Sequence, residues 1–348
     1  MKLPPGNPGE LVLTSNQIIV NGQWATVNFY YICRNKSLNL INTMRHLFLG
    51  KLFVVLVSML CVCSVSASKP IRTLLITGQN NHNWQVSHVV LKQILENSGR
   101  FSVDFAVSPS QGKDMSGFVL DFTPYELVVL DYNGDSWPEE TNKRFLDYVQ
   151  GGGGVVIYHA ADNAFSQWPE FNKICALGGW ENRNENSGPY VYWQEGKLVK
   201  DSSAGSGGSH GSQHEYVLNG RDKVHPIVKG LPLKWRHTKD ELYDRMRGPG
   251  NIGALLYTAY SEKGTGGSGR EEPLIFTVDY GNARIFHTML GHAGETAENN
   301  TAMQCTGFQV LLLRGAEWAA TGKVTQKVPE DFPTETQCSY RKDYKEQK

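Results

Sequence analysis

The sequence predicts an α/β fold: a doubly wound, mainly parallel sheet with a β-hairpin insertion. From residue 69 onward, short apolar runs typical of buried strands alternate with amphipathic helical stretches. The order β-α-β-β-α-β between residues 72 and 158 implies right-handed crossovers, with helices on both faces of the sheet. The 348 residues, of which 40% are hydrophobic and 20% charged, suffice for one substantial core.

The first half of this pattern gives four strands and two helices. Apolar runs predict three of the strands, and alternating apolar and polar residues at 101–107 predict a fourth nearer the sheet edge. An apolar stripe ended by Gly99 predicts the first helix. Pro138 opens the second helix, and four glycines follow it. The predicted elements are a strand at 72–77, a helix at 84–98, strands at 101–107 and 126–131, a helix at 138–149 and a strand at 155–158.

Beyond residue 177 the pattern changes to short strands and polar connections. A turn at Glu195-Gly196 predicts a small hairpin, and the Ser- and Gly-rich stretch 201–213 predicts a mobile surface loop. Further strands are predicted at 254–260, 274–279 and 284–290, followed by a helix at 304–320. Residues 69–321 therefore form one domain, and residues 322–348 form a charged, loosely held tail.

A secretory signal peptide is predicted at residues 44–67. A basic stretch from Met44 precedes an apolar run at 52–63 and a small-residue cleavage site that ends at Ala67. The run is shorter than the about 20 residues that a membrane-spanning helix needs. Residues 1–43 show no periodicity, so we expect the protein to start at Met44 and residues 1–43 to be spurious upstream translation. The mature protein is then exported, to the periplasm or the cell exterior, and lipidation at Cys61 or Cys63 is left open.

The charge balance excludes several classes of partner. Thirty-four basic residues match thirty-four acidic ones, whereas a nucleic-acid surface needs a basic excess. No basic amphipathic helix is present to hold the mature protein on a membrane. The glycines at 264–269 fit a dinucleotide fingerprint but lie between two strands, so no NAD site is predicted. A small-molecule ligand remains, and the sequence leaves a homo-oligomer open.

The candidate site lies where parallel strands end, because ligands of doubly wound sheets bind outside the carboxyl ends of the strands. His82, His159 and His292 each follow a predicted strand, so we expect the three imidazoles to converge. They could hold a divalent metal ion, zinc or another transition metal, or bind sugar hydroxyl groups beside Trp84 and Trp168. The alternative for His159 is a hydrogen-bonded histidine that merely closes its strand.

Carboxylates offer acid and base groups to the same region. Asp240 and Glu241 are adjacent, and Tyr243 gives them an aromatic neighbour that is a candidate for substrate binding. A carboxylate pair can divide acid and base roles when burial separates the two pKa values. Adjacent acids more often form a solvated turn, and that alternative stays open here.

Five segments, taken in order, resemble the ThuA-like (trehalose utilisation) family over roughly residues 70–320. They are the stretches 152–162, 168–170, 225–232, 240–243 and 280–292. The resemblance implies a flavodoxin-like sheet of the class I glutamine-amidotransferase-like type. That superfamily often carries a nucleophilic cysteine at the strand-to-helix turn, where this sequence has His159. We therefore expect that the protein is not a glutamine amidotransferase.

The resemblance also implies a role in the metabolism of disaccharides and related glycosides. By analogy, the protein isomerises, cleaves or hydrates an oxidised (3-keto) sugar, which needs a base beside a ketone and stabilisation of an enolate. His159 and His292 then form the catalytic centre, with Asp162, Asp240 and Glu241 as candidate acid/base groups. One alternative is a non-catalytic carbohydrate-binding protein that retains the pocket. Another is a scaffold whose 180–213 segment orders only in a complex.

Overall fold

The computed structural model describes the backbone of residues 17–20 and 23–26, and residues 69–294, 296 and 300–342. The chain divides into two compact units, Met1–Ala67 and Ser68–Lys348. In the first unit, strands β1 (Gln17–Val20) and β2 (Gln23–Thr26) pair antiparallel. The predicted signal peptide and its cleavage site lie outside the described residues.

The second unit is built on one mixed sheet of eleven strands. These are β3 (Ile71–Thr77), β4 (Phe101–Val107), β5 (Leu127–Leu130), β6 (Gly154–Tyr158), β7 (Tyr190–Gln194), β8 (Lys197–Asp201), β10 (His214–Gly220), β11 (Lys234–Asp240), β13 (Ile252–Tyr260), β14 (Glu271–Val278) and β15 (Arg284–Thr288). Two short strands, β9 (Ser209–His210) and β12 (Tyr243–Asp244), form a separate pair.

Helices cover the parallel part of the sheet. They are α1 (Trp84–Asn97), α2 (Glu139–Gln150), α3 (Pro169–Cys175), α4 (Thr301–Gln304) and α5 (Thr306–Thr321). The domain also contains three short 3₁₀ turns among its described residues, at His159–Asn163, Glu185–Ser187 and Lys263–Thr265. Among the described residues, none of the helices has the length and apolar character to span a bilayer.

Five strands pair in parallel, in the order β4-β3-β5-β6-β15. Numbered among themselves, they follow the 2-1-3-4-5 order of flavodoxin-like sheets. The central strands β5 and β6 are buried throughout, as expected for strands covered on both faces. The predicted α/β fold is confirmed, and β4 lies at the sheet edge.

The other strands extend the sheet antiparallel, in the order β15-β14-β13-β10-β11. The hairpin of β7 and β8 is confirmed and joins the sheet where Trp193 pairs with Glu271. The sequence analysis missed β10 and β11, because polar residues interrupt the apolar alternation in both strands. The sheet is thus mixed, with parallel pairing where the crossover helices lie.

The Ser- and Gly-rich stretch 201–213 is anchored to the domain, which corrects the expectation of a mobile surface loop. The Arg247 guanidinium donates a hydrogen bond to the Ser203 carbonyl, and the Tyr190 hydroxyl donates one to the Ser206 carbonyl at 2.9 Å. At its end, β9 pairs with β12. The Ser and Gly residues of this stretch therefore allow its backbone to pack closely against the domain.

The described part of the predicted tail, residues 322–342, also packs back on the domain instead of being loosely held. The Phe332 ring lies 5.5 Å from the buried Trp235 ring. The Thr306 amide donates to the Ser339 carbonyl at 3.0 Å, and the Arg341 amide donates to the Gln304 carbonyl at 2.8 Å. These contacts fix the entry into α5.

Candidate functional site

Four side chains converge at the carboxyl ends of the parallel strands. They are His82, His159, Glu241 and His292, and their ligand atoms all lie within 4.8 Å of one another. His82 lies in the loop after β3, His159 directly follows β6, and His292 follows β15. The expected convergence of the three imidazoles is observed, and Glu241 joins them from the turn between β11 and β12. We call these four residues the His/Glu cluster.

Glu241 lies among the three imidazoles. Its Oε2 atom is 3.2 Å from His82 Nε2 and 3.6 Å from His159 Nε2. Its Oε1 atom is 3.2 Å from His292 Nδ1. The Glu241 side chain is 9% exposed and that of His292 is 23% exposed, so the His/Glu cluster opens to solvent on the His292 side.

His159 is held in place from both sides of its ring. Its Nδ1 atom lies 2.7 Å from the Met289 carbonyl, and the Tyr243 hydroxyl lies 3.2 Å from Nε2. The Tyr243 ring stacks on the imidazole at 4.6 Å. His159 adopts a φ of 45° at the end of β6, a left-handed conformation that is costly for a side chain other than glycine. Such strain persists only where the surroundings fix it, and it clusters at functional sites.

The charges of the His/Glu cluster favour one added positive charge. Burial lowers the pKa of His82 to about 4, so this imidazole is neutral at neutral pH. Burial would raise the pKa of Glu241, but hydrogen bonds from His159, His292 and His82 hold it well below its usual range. Burial also opposes a charge on His159, yet the neighbouring Glu241 and Asp240 carboxylates raise its pKa. A proton on His159 or a bound cation would balance the negative charge of these carboxylates.

Asp240 fixes the backbone of two cluster residues from below. Its Oδ2 atom accepts hydrogen bonds from His237 Nε2 at 2.7 Å and from the Gly291 amide at 2.8 Å. Its Oδ1 atom accepts from the amides of Glu241 at 2.8 Å and His292 at 3.2 Å. Burial alone would raise the pKa of Asp240, but the bond and charge of His237 hold it below its usual value. An acid or base role for Asp240 stays a prediction.

Asp162 contacts His287, a histidine outside the His/Glu cluster. Its Oδ2 atom lies 3.3 Å from Nε2 of His287, whose Nδ1 atom is 3.0 Å from the Cys175 carbonyl. Both side chains are fully buried, and burial raises the pKa of Asp162. His287 is therefore a buried core residue with polar partners. The acid/base role predicted for Asp162 stays a prediction.

The geometry of the His/Glu cluster fits a divalent metal ion. A tetrahedral ion with ligands at 2.0–2.1 Å separates them by about 3.4 Å, close to the 3.2 and 3.6 Å contacts of Glu241. The Nδ1 atom of His82 is buried and makes no hydrogen bond within the described part of the chain, and His292 Nδ1 faces Glu241 Oε1 at 3.2 Å. The bond of His159 Nδ1 to a backbone carbonyl is the usual way of orienting an imidazole ligand. The His/Glu cluster could thus bind a metal ion.

Comparison with known proteins agrees with the fold and with the segments noted in the sequence. Residues 72–319 match the model of the ThuA family, described as trehalose utilisation. The chain belongs to the ThuA family. No curated protein matches it at a significant level.

Similar solved structures include two described as ThuA-like proteins. One from Parabacteroides merdae is 88% identical, with a TM-score of 0.79, and the match covers 80% of this chain and all of that one. Another ThuA-like protein, from Bacteroides uniformis, is 17% identical with a TM-score of 0.45, covering 76% of this chain and 96% of that one. A protein of Salmonella typhimurium described as cytoplasmic is 10% identical, with a TM-score of 0.42, covering 72% and 99% of the two chains.

In this ThuA-family chain the two tryptophans singled out from the sequence lie outside the His/Glu cluster. Trp84 begins α1, with its ring 5.4 Å from that of His88. Trp168 packs against the rings of Phe165 at 5.8 Å and Phe171 at 5.9 Å. Their substrate-binding role stays a prediction.

Three residues beside the His/Glu cluster of this ThuA-family protein were not assigned to it from the sequence. The Trp180 ring lies 4.8 Å from that of Tyr243. His210 Nε2 is 3.8 Å from Glu241 Oε1, and Gln213 Nε2 donates to the same oxygen at 3.4 Å. All three belong to polar, glycine-rich stretches without periodicity. The density of glycines at 205–211 was the one local signal of close backbone packing.

A buried carboxylate, also missed, supports the loop that carries His82. Asp131 follows β5 and accepts a hydrogen bond from Asn80 Nδ2 at 3.2 Å, while Asn80 Oδ1 accepts from the His82 amide at 2.9 Å. The hydroxyl of Ser87 donates to Asp131 at 2.6 Å. Burial raises the pKa of Asp131 to about 7 although these donors oppose the shift. Asp131 therefore positions the His82 loop from within the sheet.

Proposed function

We propose that the protein is an enzyme of disaccharide or glycoside metabolism that isomerises, cleaves or hydrates an oxidised (3-keto) sugar at the His/Glu cluster. We further propose that the cluster holds a divalent ion, zinc or another transition metal. The observation that carries both proposals is the approach of four ligand atoms within 4.8 Å at the carboxyl ends of the parallel strands. The family description, trehalose utilisation, supports the sugar as the substrate class.

The composition of the ligand set supports a transition metal. Three imidazoles and one carboxylate suit zinc and its neighbours, whereas magnesium and calcium are bound mainly by oxygen. His82, with a pKa of about 4, needs no deprotonation to become a ligand at neutral pH. Glu241 is ionised and supplies the negative charge. A divalent ion held by these four residues would supply Lewis-acid chemistry, polarising a carbonyl oxygen or activating a water.

The residues around the ion then have separate tasks in our proposal. His159 is fixed by the Met289 carbonyl and by Tyr243, so its Nε2 atom keeps one direction throughout. His292, the more exposed imidazole, lies on the side from which a sugar would approach. The Tyr243 hydroxyl is a donor for a developing oxyanion, since burial raises its pKa and keeps it protonated.

Metal analysis tests the centre directly. We expect the purified protein to contain about one transition-metal ion per chain, and His159→Ala and His292→Ala to bind Zn²⁺ at least tenfold more weakly in titration calorimetry. The control is His225→Ala, since that ring packs against Trp318, 4.9 Å away, outside the cluster. Equal Zn²⁺ affinity in His159→Ala and His225→Ala, or no metal binding by the wild type, would rule out the metal centre.

Turnover of a 3-keto-disaccharide separates the enzyme from its alternative. We expect the wild type to convert 3-keto-trehalose, followed by NMR, and His159→Ala to lose conversion while His225→Ala retains it. Sugar binding without any conversion by the metal-loaded wild type would instead favour the non-catalytic carbohydrate-binding protein.

We also propose that the mature protein is exported to the periplasm or the cell exterior. The signal-peptide pattern at residues 44–67 supports this, and the family match begins at residue 72. N-terminal sequencing of protein made from the full chain in a bacterial host tests it. A mature chain that begins just after Ala67 is expected, and one that retains residues 44–67 contradicts export by cleavage.

A further inference from the structure

Three side chains beside the His/Glu cluster form a group that we call the rim: Trp180, His210 and Gln213. The Trp180 ring is 4.8 Å from the Tyr243 ring and 6.0 Å from the His210 ring. His210 and Gln213 approach Glu241 Oε1, at 3.8 and 3.4 Å. The side chain of His210 is 37% exposed, and Trp180 and Gln213 are half-buried, so the rim faces both solvent and the cluster.

The backbone at Trp180 is held in an unfavourable conformation. Trp180, Glu181 and Asn182 have φ values of 49°, 46° and 60°, three consecutive left-handed residues without a glycine among them. Each such residue is disfavoured, so the segment persists only because its surroundings fix it. Because backbone strain clusters at functional sites, the strained, partly exposed Trp180 is a candidate for ligand contact.

Arg183 is the residue that fixes this segment. Its guanidinium is buried and donates hydrogen bonds to the carbonyls of Asn163 at 2.7 Å, Ala164 at 2.7 Å and Gly179 at 2.8 Å. Asn163 ends the 3₁₀ turn that His159 begins. Arg183 thus ties the Trp180 segment to the same turn that carries the central histidine, and the rim is built before any ligand arrives.

A glycine allows the second half of the rim to approach Trp180. Gly208 has a φ of +83°, and a Cβ there would lie 2.5 Å from the Trp180 amide nitrogen and 2.7 Å from Trp180 Cε3. The Trp180 amide donates to the Gly207 carbonyl at 2.8 Å. Two residues later, His210 pairs with Tyr243 between β9 and β12. The glycines of this stretch therefore place His210 over the His/Glu cluster.

We infer that the rim is the sugar-binding subsite beside the His/Glu cluster, an inference that rests on the proposed function. A pyranose ring has an apolar face of C–H groups and a periphery of hydroxyl groups. The Trp180 ring offers a flat apolar surface for the face, and His210 and Gln213 offer donors and acceptors for the hydroxyl groups. His210 and Gln213 both lie within 4 Å of Glu241. A sugar bound to them would therefore also contact the His/Glu cluster.

Calorimetric binding of trehalose and 3-keto-trehalose tests the rim. We expect Trp180→Ala and Gln213→Ala to weaken binding of the sugar about tenfold or more, and Trp180→Phe to restore part of it. Trp193→Ala is the matched control, because Trp193 lies on β7 with its ring under the Arg221 guanidinium. Zn²⁺ affinity is measured in the same variants and should change less than threefold in Trp180→Ala and Trp180→Phe.

The outcomes separate this inference from the proposed function. Sugar affinity that is unchanged in Gln213→Ala and Trp180→Ala, or a wild type that binds neither sugar, overturns the rim while leaving the metal centre to its own test. A wild type without metal or turnover overturns the proposed enzyme, whereas weakened sugar binding in the rim variants would still assign the subsite. Because Gln213→Ala leaves the strained backbone untouched, the test holds even if Trp180→Ala fails to fold.

Discussion

Replacing Asp240 by asparagine should damage both the stability of the protein and its cluster. The buried carboxylate accepts four N–H donors: His237 and Gly291 on one oxygen, and Glu241 and His292 on the other. An asparagine side chain has one acceptor oxygen and one NH₂ donor. In either orientation, two of the four N–H groups face the NH₂ group.

The magnitude follows from that count. An unsatisfied buried donor costs about 1–3 kcal/mol, so two cost about 2–6 kcal/mol. Loss of the His237 Nε2 proton can relieve one of them, which leaves a loss of at least about 1 kcal/mol. The amides of Glu241 and His292 also lose their fixed acceptor, so Zn²⁺ affinity should fall roughly 10- to 100-fold, as for other residues that orient metal ligands.

Urea denaturation at pH 7, with titration calorimetry of Zn²⁺, measures both effects in Asp240→Asn. The control is Asp147→Asn on α2, because the Asp147 side chain is 59% exposed and forms an ion pair with Lys143, four residues away. We expect the control to stay within about 0.5 kcal/mol of the wild type. If Asp240→Asn matched the control in free energy of unfolding, the network of four donors would not support the site as argued.

Two further predictions concern the supporting structure. Burial raises the pKa of Asp131 to about 7, above its unfolded value of 3.8, so between these pH values the folded state binds more protons than the unfolded state. The free energy of unfolding should therefore fall as pH rises from about 4 to about 7. Asp131→Asn should flatten that slope in a series of urea denaturations, and an unaltered slope would exclude Asp131 as its source. Gly315→Ala on α5 would place a Cβ 2.2 Å from the Phe286 ring. We expect this overpacking to lower the free energy of unfolding by about 1–3 kcal/mol while Zn²⁺ affinity stays unchanged. Thermal unfolding that matches the wild type would contradict this and show that α5 can shift.

The parallel half of the fold was predictable because its information is local. Strands β3, β5 and β6 are short apolar runs, and β4 alternates apolar and polar residues as an edge strand does. The helices between them carry apolar stripes that end near a glycine or begin after proline. Burial on both faces leaves little room for polar residues in the central strands. The antiparallel half gave a weaker signal, since β10 and β11 carry charged and polar residues at several positions.

The rim escaped prediction for a different reason. Trp180 lies outside helices and strands, His210 lies in the two-residue strand β9, and neither is next to a residue whose chemistry is conspicuous. Their positions depend on the left-handed backbone at residues 180–182 and on the close approach of Gly208. Neither feature has a periodic signature in the sequence, because each depends on contacts between segments that are distant along the chain.

The sequence by itself determined that His82, His159 and His292 would meet. Parallel strands run in one direction, so residues that follow their carboxyl ends gather at one edge of the sheet regardless of the loops between them. Only the tertiary structure decided that Glu241 completes the cluster and that Asp240 orients it from beneath. Asp240 ends the antiparallel strand β11 and Glu241 follows it, so pairing across the sheet sets their position. The Asp240 side chain is oriented by hydrogen bonds from the amides of Gly291 and His292, more than fifty residues away.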